Sequence, residues 1–363
     1  MSASSHLFQP DYAISPGEIL EDEIRARGIK KVDLANRCGR PIKTISEIIS
    51  GKTGITPETA IQFERVLGIP AHVWTNLESN FRLRLAKKSD DETLVDFIEW
   101  ALVFPINKMV EQGFIAKPKD KVDSVRKLLD FLGVASPLAY EKFLLENKVA
   151  FRRSPSFESS PQAVAAWLRQ GELIGQDIDC QPYDERIFKE ALKKIRLLTM
   201  KDPDIFVAEM TTVLSSAGVA IAFVPELPKT HLSGAARWLS KDKALIQLSL
   251  RHKSDDFLWF TFFHEAAHIL LHGKKEVFID DTKTRDDELE NEANSFSENI
   301  LIPKKEWVDF VARHTFSKVA VKSFAKLQRI APGIVVGRLQ KYSLLPYKSN
   351  LNHLKRRFEW TSE

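Results

Sequence analysis

The pentapeptide at residues 264–268, HEAAH, has the residue types and spacing of a zinc-dependent hydrolase centre. His264 and His268 are four residues apart, so a helix would project both imidazoles from one face toward a single metal ion. Glu265 lies one residue along, where its carboxylate can take a proton from an attacking water without binding the metal. The motif therefore predicts zinc bound by the two histidines, with Glu265 as the catalytic base.

The acidic stretch that follows is expected to supply the third ligand. Residues 276–298 contain nine acidic and two basic residues, a net charge of −7. No histidine stands ten residues after the first histidine of the motif, so a carboxylate is favoured as the remaining ligand. Glu288 and Glu292 share one helical face at a spacing of four, while Glu290 is expected to point elsewhere. We expect His272 to support the site or the fold rather than to bind the metal.

The elements that must position these residues can be traced in the pattern of apolar residues. The segment Asp255–His272 predicts the helix of the histidine motif, and Asp287–Leu301 predicts a second helix that carries the glutamates. Before them, the branched apolar run Val219–Val224 predicts a strand. The runs Ala235–Leu239 and Ala244–Leu248 predict a hairpin. A small sheet is thus expected beside the metal-binding helices.

The segment Glu290–Pro303 resembles the E-A-N-x-F-A…L-x-P block of the ImmA/IrrE metallopeptidases, and the resemblance recurs in segments between residues 233 and 340. In that block the glutamate directly before Ala-Asn is a zinc ligand, which the resemblance maps onto Glu292. Ser297 stands where the family usually has alanine, a small departure. The resemblance implies a gluzincin-like domain completed by Glu292. Known family substrates are transcriptional repressors, each cut at a specific peptide bond.

A second candidate site lies near the start of the chain. The segments Lys31–Cys38 and Pro41–Ser50, joined by a turn at Gly39, fit a helix-turn-helix. Residues 27–52 contain seven basic and two acidic residues, a net charge of +5 that would attract DNA phosphates. The pattern predicts that this region binds double-stranded DNA.

The second helix of this pair should read the bases. Its isoleucines Ile42, Ile45 and Ile49 recur at helical spacing and are expected to pack inward on Leu34 and Ala35. Hydrogen-bonding and cationic side chains remain for the opposite face and the two helix ends. The residues predicted to contact DNA are Arg40, Lys43, Thr44, Glu47, Ser50 and Lys52.

The stretch Pro16–Leu83 resembles the Cro/C1-type helix-turn-helix domain of the HigA (VapI) antitoxin and plasmid-maintenance regulators. The resemblance is carried by PGEIL, LANRCGRPIKTISEIISGK, ITPETA and WTNLESNF. It implies operator binding by a homodimer, because such domains read two half-sites. It also implies a cognate toxin as a partner.

The composition is that of an ordinary globular protein. The chain has 363 residues, of which 44% are hydrophobic and 28% charged, so two or three domains are expected. Cys38 and Cys180 are the only cysteines, which excludes a disulfide framework or a cysteine-built zinc site. We expect no signal peptide and no membrane segment, and hence a cytoplasmic protein.

The predicted fold class is mainly α with a small β-sheet (α+β). A five-helix helix-turn-helix domain comes first, then a helical middle region of unknown role, and a zincin-like domain follows. The segment Lys87–Asp91 is expected to be a linker. The predicted domains are residues 1–90, 91–215 and 216–345, followed by a basic tail at 346–363.

The leading hypothesis is an antitoxin-like, DNA-binding transcriptional regulator with a zinc endopeptidase domain. Its substrate would be a regulatory protein, namely a repressor, a toxin or the chain itself. One alternative is a HigA-like antitoxin and autorepressor whose zinc domain is structural or sensory. A second alternative is a metabolite-sensing transcription factor with its ligand pocket at residues 90–215.

Overall fold

The chain forms two compact units, residues 1–98 and 99–363. The structure is a computed structural model and describes residues 14–142, 160–272 and 283–360. Helices dominate both units, and three strands form one small sheet in the second unit. The predicted fold class, mainly α with a small β-sheet, is confirmed.

The first unit is built of short helices whose ends follow local sequence signals. Ser15 Oγ accepts a hydrogen bond from the backbone N–H of Glu18, and Thr56 caps a later helix in the same way. Gly39 has φ of 62°, which permits the sharp turn of the helix-turn-helix. The helices are α1 (Pro16–Ala26), α2 (Lys31–Cys38), α3 (Ile42–Ile49), α4 (Pro57–Leu67) and α5 (Ala71–Leu94), followed by a 3₁₀ turn (Val95–Phe97).

The core of the first unit is formed by apolar side chains from one face of each of these helices. Leu34 of α2 and Ile45 of α3 are fully buried, and Phe63 meets Trp74 edge to face with ring centroids 5.5 Å apart. Such aromatic pairs stabilise a core beyond their buried area. These contacts hold α3 at a defined orientation on α2.

The helix α5 extends past the predicted linker. Residues 87–91 are helical, and the division between the units falls at 98/99 rather than at 90/91. The segment contains no glycine or proline, so nothing in its backbone ends the helix there. Its charges had indicated a linker, but an exposed helix tolerates them equally well.

The second unit contains the remaining helices and the sheet. The elements are α6 (Ile98–Leu102), α7 (Ile106–Glu111), α8 (Lys121–Leu132), α9 (Pro161–Asp177), α10 (Glu185–Leu198), α11 (Pro203–Ser215), β1 (Val219–Phe223), β2 (Gly234–Ser240), β3 (Lys243–Leu248), α12 (Asp255–Leu271), α13 (Lys283–Leu301), α14 (Lys304–Val311), α15 (Lys318–Gln328) and α16 (Pro332–Lys341), with a 3₁₀ turn at Asn350–Leu354.

The sheet has the strand order β1-β3-β2. Strands β1 and β3 are parallel, whereas β2 and β3 form the predicted antiparallel hairpin. Among the described residues, β2 is therefore an edge strand that pairs on one side. The helix α12 packs against β2, β3, α13 and α16.

The middle region, predicted as a separate domain, packs directly on the sheet. Trp167 of α9 donates a hydrogen bond from Nε1 to the carbonyl of Val224 at 3.0 Å. The backbone carbonyl of the same tryptophan accepts a hydrogen bond from Gln247 Nε2 of β3 at 2.7 Å. All four groups are buried or nearly so, and a buried polar group needs such a partner. The middle helices thus belong to the same compact unit as the sheet.

The basic tail also packs within the second unit. Lys355 Nζ lies 2.7 Å from Asp256 Oδ2, and the backbone N–H of Asp255 donates to the carbonyl of Arg356 at 3.1 Å. Phe358 is buried in the main core, where its ring centroid lies 5.7 Å from that of Phe206. The tail therefore fastens the start of α12.

None of the helices in the described ranges is long and apolar enough to cross a membrane. The most apolar of the long helices, α12, has 17 residues and carries the histidine motif.

Candidate metal centre and DNA-binding face

The two motif histidines lie side by side on α12. His264 Nε2 and His268 Nε2 are 3.0 Å apart, and both side chains are 15% exposed. The helix presents them in this way because Phe263 and Ala267, on its other side, are fully buried in the core. The predicted pairing of the two imidazoles on one helical face is present.

The third group at this point is the carboxylate of Glu290 on α13. Its Oε2 lies 3.1 Å from His264 Nε2, and its Oε1 lies 3.4 Å from His268 Nε2. The three potential ligand atoms all lie within 4.8 Å of one another. Two imidazole nitrogens and one carboxylate oxygen form the donor set of catalytic zinc sites that leave a position open. The residues present therefore fit zinc.

This arrangement differs from the sequence-based assignment of the third ligand to Glu292. The carboxylate of Glu292 is 56% exposed and lies 3.3 Å from His272 Nε2, away from the other two histidines. The face that α13 turns toward α12 is set by its buried residues, Ala293 and Ser297. Glu290 precedes these by three and seven residues and shares their face, whereas Glu292 does not.

The sequence does contain a signal for Glu290, in the spacing of the small residues of α13. Ser297 Oγ donates to the carbonyl of Phe260 at 2.9 Å, which fixes α13 against α12. A search for the small residues that let two helices approach would have selected Ala293 and Ser297 as the contact line. Glu290 lies one turn before Ala293 and two turns before Ser297 on that line.

Two carboxylates, those of Glu265 and Glu290, place negative charge around His264. Burial lowers the pKa of His264, but the hydrogen bond to Glu290 and the charges of Glu265 and Glu290 outweigh it. The pKa of this imidazole is therefore raised above its ordinary value. The same negative charges would favour a bound cation.

The predicted base, Glu265, lies beside the first residue of the edge strand. A Cβ atom added to Gly234 would lie 2.8 Å from Glu265 Cγ and 2.6 Å from Thr261 Cγ2. Glycine is therefore needed for this close approach of strand and helix. The first residue of β2 therefore lies in close contact with the side chain of Glu265.

The second candidate site is the outward side of α3 in the first unit. Lys43 has a side chain that is 83% exposed, and its Nζ lies 3.9 Å from Glu47 Oε1. Thr44 is half-buried at the edge of this face. Ser50 is exposed at the helix end, and Lys52 is exposed just beyond it. The structure thus brings these five predicted residues to one side of the helix or to its end.

Ile42 and Arg40 differ from what the sequence predicts for this region. Ile42 is 51% exposed rather than buried, and Ile48 is buried in the core instead. The first turn of α3 extends beyond the contact with α2, so the inward face begins at Ile45. Arg40 donates from Nε to Gln62 Oε1 at 2.8 Å and thereby ties the turn to α4. An exposed isoleucine on this face is a DNA-facing candidate that sequence periodicity missed.

Family comparisons match both candidate sites. A helix-turn-helix family matches residues 20–74. A peptidase family described as the IrrE N-terminal-like domain matches residues 227–318, a range that contains the histidine pair and Glu290. This part of the second unit therefore has a metallopeptidase-like fold.

Among known proteins, virulence-associated protein I of Dichelobacter nodosus is 34% identical over 77 residues. The aligned part is 21% of this chain and 71% of the relative. The chain belongs to the helix-turn-helix family of that protein. The uncharacterized HTH-type transcriptional regulator YddM of Escherichia coli K12, another relative, is 29% identical over 76 residues, which are 21% of this chain and 81% of YddM.

Solved structures also resemble a part of this chain. One is a putative antidote protein of a plasmid maintenance system from Nostoc punctiforme, with 32% identity, 22% of this chain and 88% of that chain covered, and a TM-score of 0.22. Another is an addiction module antidote protein of the HigA family from Coxiella burnetii, with 26% identity, 23% and 92% covered, and a TM-score of 0.22. The chain thus carries a helix-turn-helix domain of the family of virulence-associated protein I and, further along, an IrrE N-terminal-like domain.

Proposed function

We propose that the protein is a DNA-binding transcriptional regulator whose second unit is a zinc-dependent endopeptidase acting on a regulatory protein. The observation that carries the proposal is the meeting of His264, His268 and Glu290 within 4.8 Å, with Glu265 directly after His264 on the same helix. A structural zinc site is closed by four protein ligands, whereas three ligands with a neighbouring base are typical of a hydrolase.

In this proposal, His264, His268 and Glu290 hold zinc. Bound there, zinc supplies Lewis-acid polarisation of the scissile carbonyl and lowers the pKa of the attacking water. Glu265 takes the proton from that water and returns it to the leaving amine, so it acts first as base and then as acid. Gly234 leaves Glu265 the space to do this.

The strand β2 is proposed to hold the substrate. It pairs with β3 along one edge, and its first residue, Gly234, lies against Glu265. An extended peptide can add to such an edge through main-chain hydrogen bonds, which bind a polypeptide without requiring one particular side chain. A peptide bound there would bring a backbone carbonyl close to the histidine pair.

The helix-turn-helix unit would locate this activity on DNA. We propose that Lys43, Thr44, Glu47, Ser50 and Lys52, together with Arg40, contact an operator. The chain would act as a homodimer on two half-sites. The protein cut would be one that acts at the same operator: a repressor, a toxin partner or the regulator itself.

The test compares the wild-type protein with Glu265→Gln, both loaded with zinc. Each is incubated with the protein encoded beside its gene, and the products are read by mass spectrometry. We expect a single cleaved bond with wild type and a rate lower by about 10²–10⁴-fold with the variant, because the amide cannot accept the proton. The zinc content of both proteins should be equal.

A second candidate is an antitoxin-type autorepressor whose zinc site is structural. This candidate is favoured because the three potential ligands lie on two helices, Glu290 on α13 and the histidines on α12. A metal bound to them would cross-link the two helices whether or not a peptide is cut. The same experiment separates the two. If no protein is cleaved, and Glu265→Gln represses as well as wild type while retaining zinc, the structural role stands and the peptidase is rejected.

A further inference from the structure

The side of His268 that faces away from the candidate metal centre contacts a third histidine. His268 Nδ1 lies 2.9 Å from Nδ1 of His272, which is one turn further along α12. The His272 side chain is only 3% exposed, and its other nitrogen, Nε2, lies 3.3 Å from Glu292 Oε2 on α13. A chain of three polar groups therefore runs from the protein surface to one of the two motif histidines.

The direction of the hydrogen bonds in this chain follows from its outer end. A carboxylate can only accept, so Nε2 of His272 must donate to Glu292. In a neutral imidazole the other nitrogen then carries no proton, so His272 Nδ1 accepts from Nδ1 of His268. This keeps the proton of His268 on Nδ1, so that Nε2, which lies 3.4 Å from Glu290 Oε1, can bind a metal through its lone pair.

The opposite direction would disable the site. If His272 donated from Nδ1, then His268 Nδ1 would accept and the proton of a neutral His268 would sit on Nε2. That proton would occupy the position at which a metal must bind. The carboxylate of Glu292 thus selects the one tautomer of His268 that can act as a ligand through Nε2.

We propose that Glu292 and His272 are positioning residues that fix the tautomer and ring orientation of His268, and that Glu292 is not itself a ligand. The inference rests on the zinc site of the proposed function, but it concerns metal affinity rather than peptide cleavage. It gives a role to Glu292, whose position on α13 directs its carboxylate to His272 rather than to His264 and His268. It also makes the two ligands unequal, since His264 Nδ1 is buried and has no hydrogen-bond partner within the described ranges.

The test measures the zinc affinity of the full-length protein by competition with a coloured chelator. Glu292→Ala and His272→Leu should each weaken zinc binding by about 10–100-fold, as expected for the loss of a group behind a ligand. Glu292→Gln should lose less, because its amide oxygen can still accept from His272. Glu288→Ala removes an exposed glutamate one turn earlier on the same helix and should leave the affinity unchanged.

The double variant Glu292→Ala/His272→Leu supplies the sharper criterion. Because Glu292 acts through His272, the double variant should bind zinc no more weakly than His272→Leu alone. Additive losses would overturn the proposal. So would a Glu292→Ala variant that loses zinc completely while Glu290→Ala retains it, since Glu292 would then be the ligand.

A second measurement does not depend on zinc. In metal-free protein, long-range ¹H–¹⁵N spectra of the imidazole rings report which nitrogen carries the proton. Glu290 faces Nε2 of His268 in both proteins and favours the Nε2–H form, so we expect a larger share of the Nδ1–H form in wild type than in Glu292→Ala. Identical tautomer populations in the two proteins would contradict the proposal even if both are folded. Absence of peptide cleavage would affect none of these outcomes, so failure of the proposed function is distinguishable.

Discussion

The candidate metal centre and the DNA-binding face place their functional groups in opposite surroundings. His264, His268 and Glu290 contact one another, and the helices that carry them are buried on their other sides. By contrast, the outward residues of α3 end in solvent, and the Lys43–Glu47 pair at 3.9 Å is an exposed contact of little energetic weight.

The difference teaches that the two functions are coupled to folding to different extents. Groups that contact each other inside a packed unit cannot be altered without changing that unit, and a metal bound to them contributes to its stability. Exposed side chains on a helix with its own core can be altered with little effect on the fold. Three changes test this contrast, from the largest expected effect to the smallest.

The largest effect is expected from His264→Ala. One ligand of three is lost and the negative charges of Glu265 and Glu290 remain without a bound cation, so zinc content should fall to background. The second unit should then melt at a lower temperature than the zinc-loaded wild type, because metal binding and folding are linked. Metal analysis and scanning calorimetry of the full chain measure both effects.

DNA binding is the internal control for that variant. His264→Ala should bind the promoter DNA of its own gene with wild-type affinity, because the first unit has a separate core. A parallel loss of DNA affinity would show that the contrast between the two regions is false and that zinc controls the DNA-binding unit.

An intermediate effect is expected from Asp255→Asn, at the start of α12. Burial raises the pKa of Asp255 from 3.8 to about 6, and its Oδ2 has no hydrogen-bond partner within the described chain. Because the folded-state pKa is the higher one, the carboxyl stabilises the fold most below pH 4. This contribution is lost as the pH rises through about 6.

The isosteric amide avoids that loss because it carries no charge. Metal-free Asp255→Asn should match wild type near pH 4 and exceed it at pH 8 by about 2–3 kcal/mol in the free energy of unfolding of the second unit. Denaturant titrations at the two pH values measure this. Asp256→Asn, which breaks the buried pair with Lys355, should destabilise the same unit at pH 8. Equal stability of wild type and Asp255→Asn at pH 8 would contradict the expectation.

The smallest effect is expected from Lys43→Ala in the first unit. If Lys43 contacts a base, its loss should weaken specific DNA binding by about 1–3 kcal/mol. If it contacts a phosphate, the slope of the logarithm of the binding constant against the logarithm of the salt concentration should become shallower by about one. Titrations at several salt concentrations distinguish the two. Lys87→Ala on α5 removes the same charge and should have less effect, while zinc content should not change in either variant.

Much of the architecture could be predicted because it depends on local signals. The helix α2 was predicted with the bounds Lys31–Cys38 that it has, since a glycine turn ends it. The helix of the histidine motif was predicted within one residue, and the strand pair of the hairpin within one residue at each end. Periodicity and chain-reversing residues are sufficient for such elements.

The rest depends on contacts between segments that are distant in the sequence. Which glutamate of α13 meets the histidines is decided by the seating of Ala293 and Ser297 against α12. The exposure of Ile42 is decided by where α2 stops covering α3. The parallel pairing of β1 with β3 and the packing of the middle helices on the sheet have no local signal either. The predicted DNA contacts stay predictions.

The burial of Phe358 has a consequence for protein synthesis. This side chain and the Lys355–Asp256 pair complete the surroundings of α12, about ninety residues after the helix itself has been made. Domains generally fold as units, with the N-terminal one first. The first unit can thus fold once residue 98 has left the ribosome, whereas the zinc-site helix acquires its final contacts only with residue 358. If the proposed function holds, a newly made chain acquires its DNA-binding unit before its peptidase centre is complete.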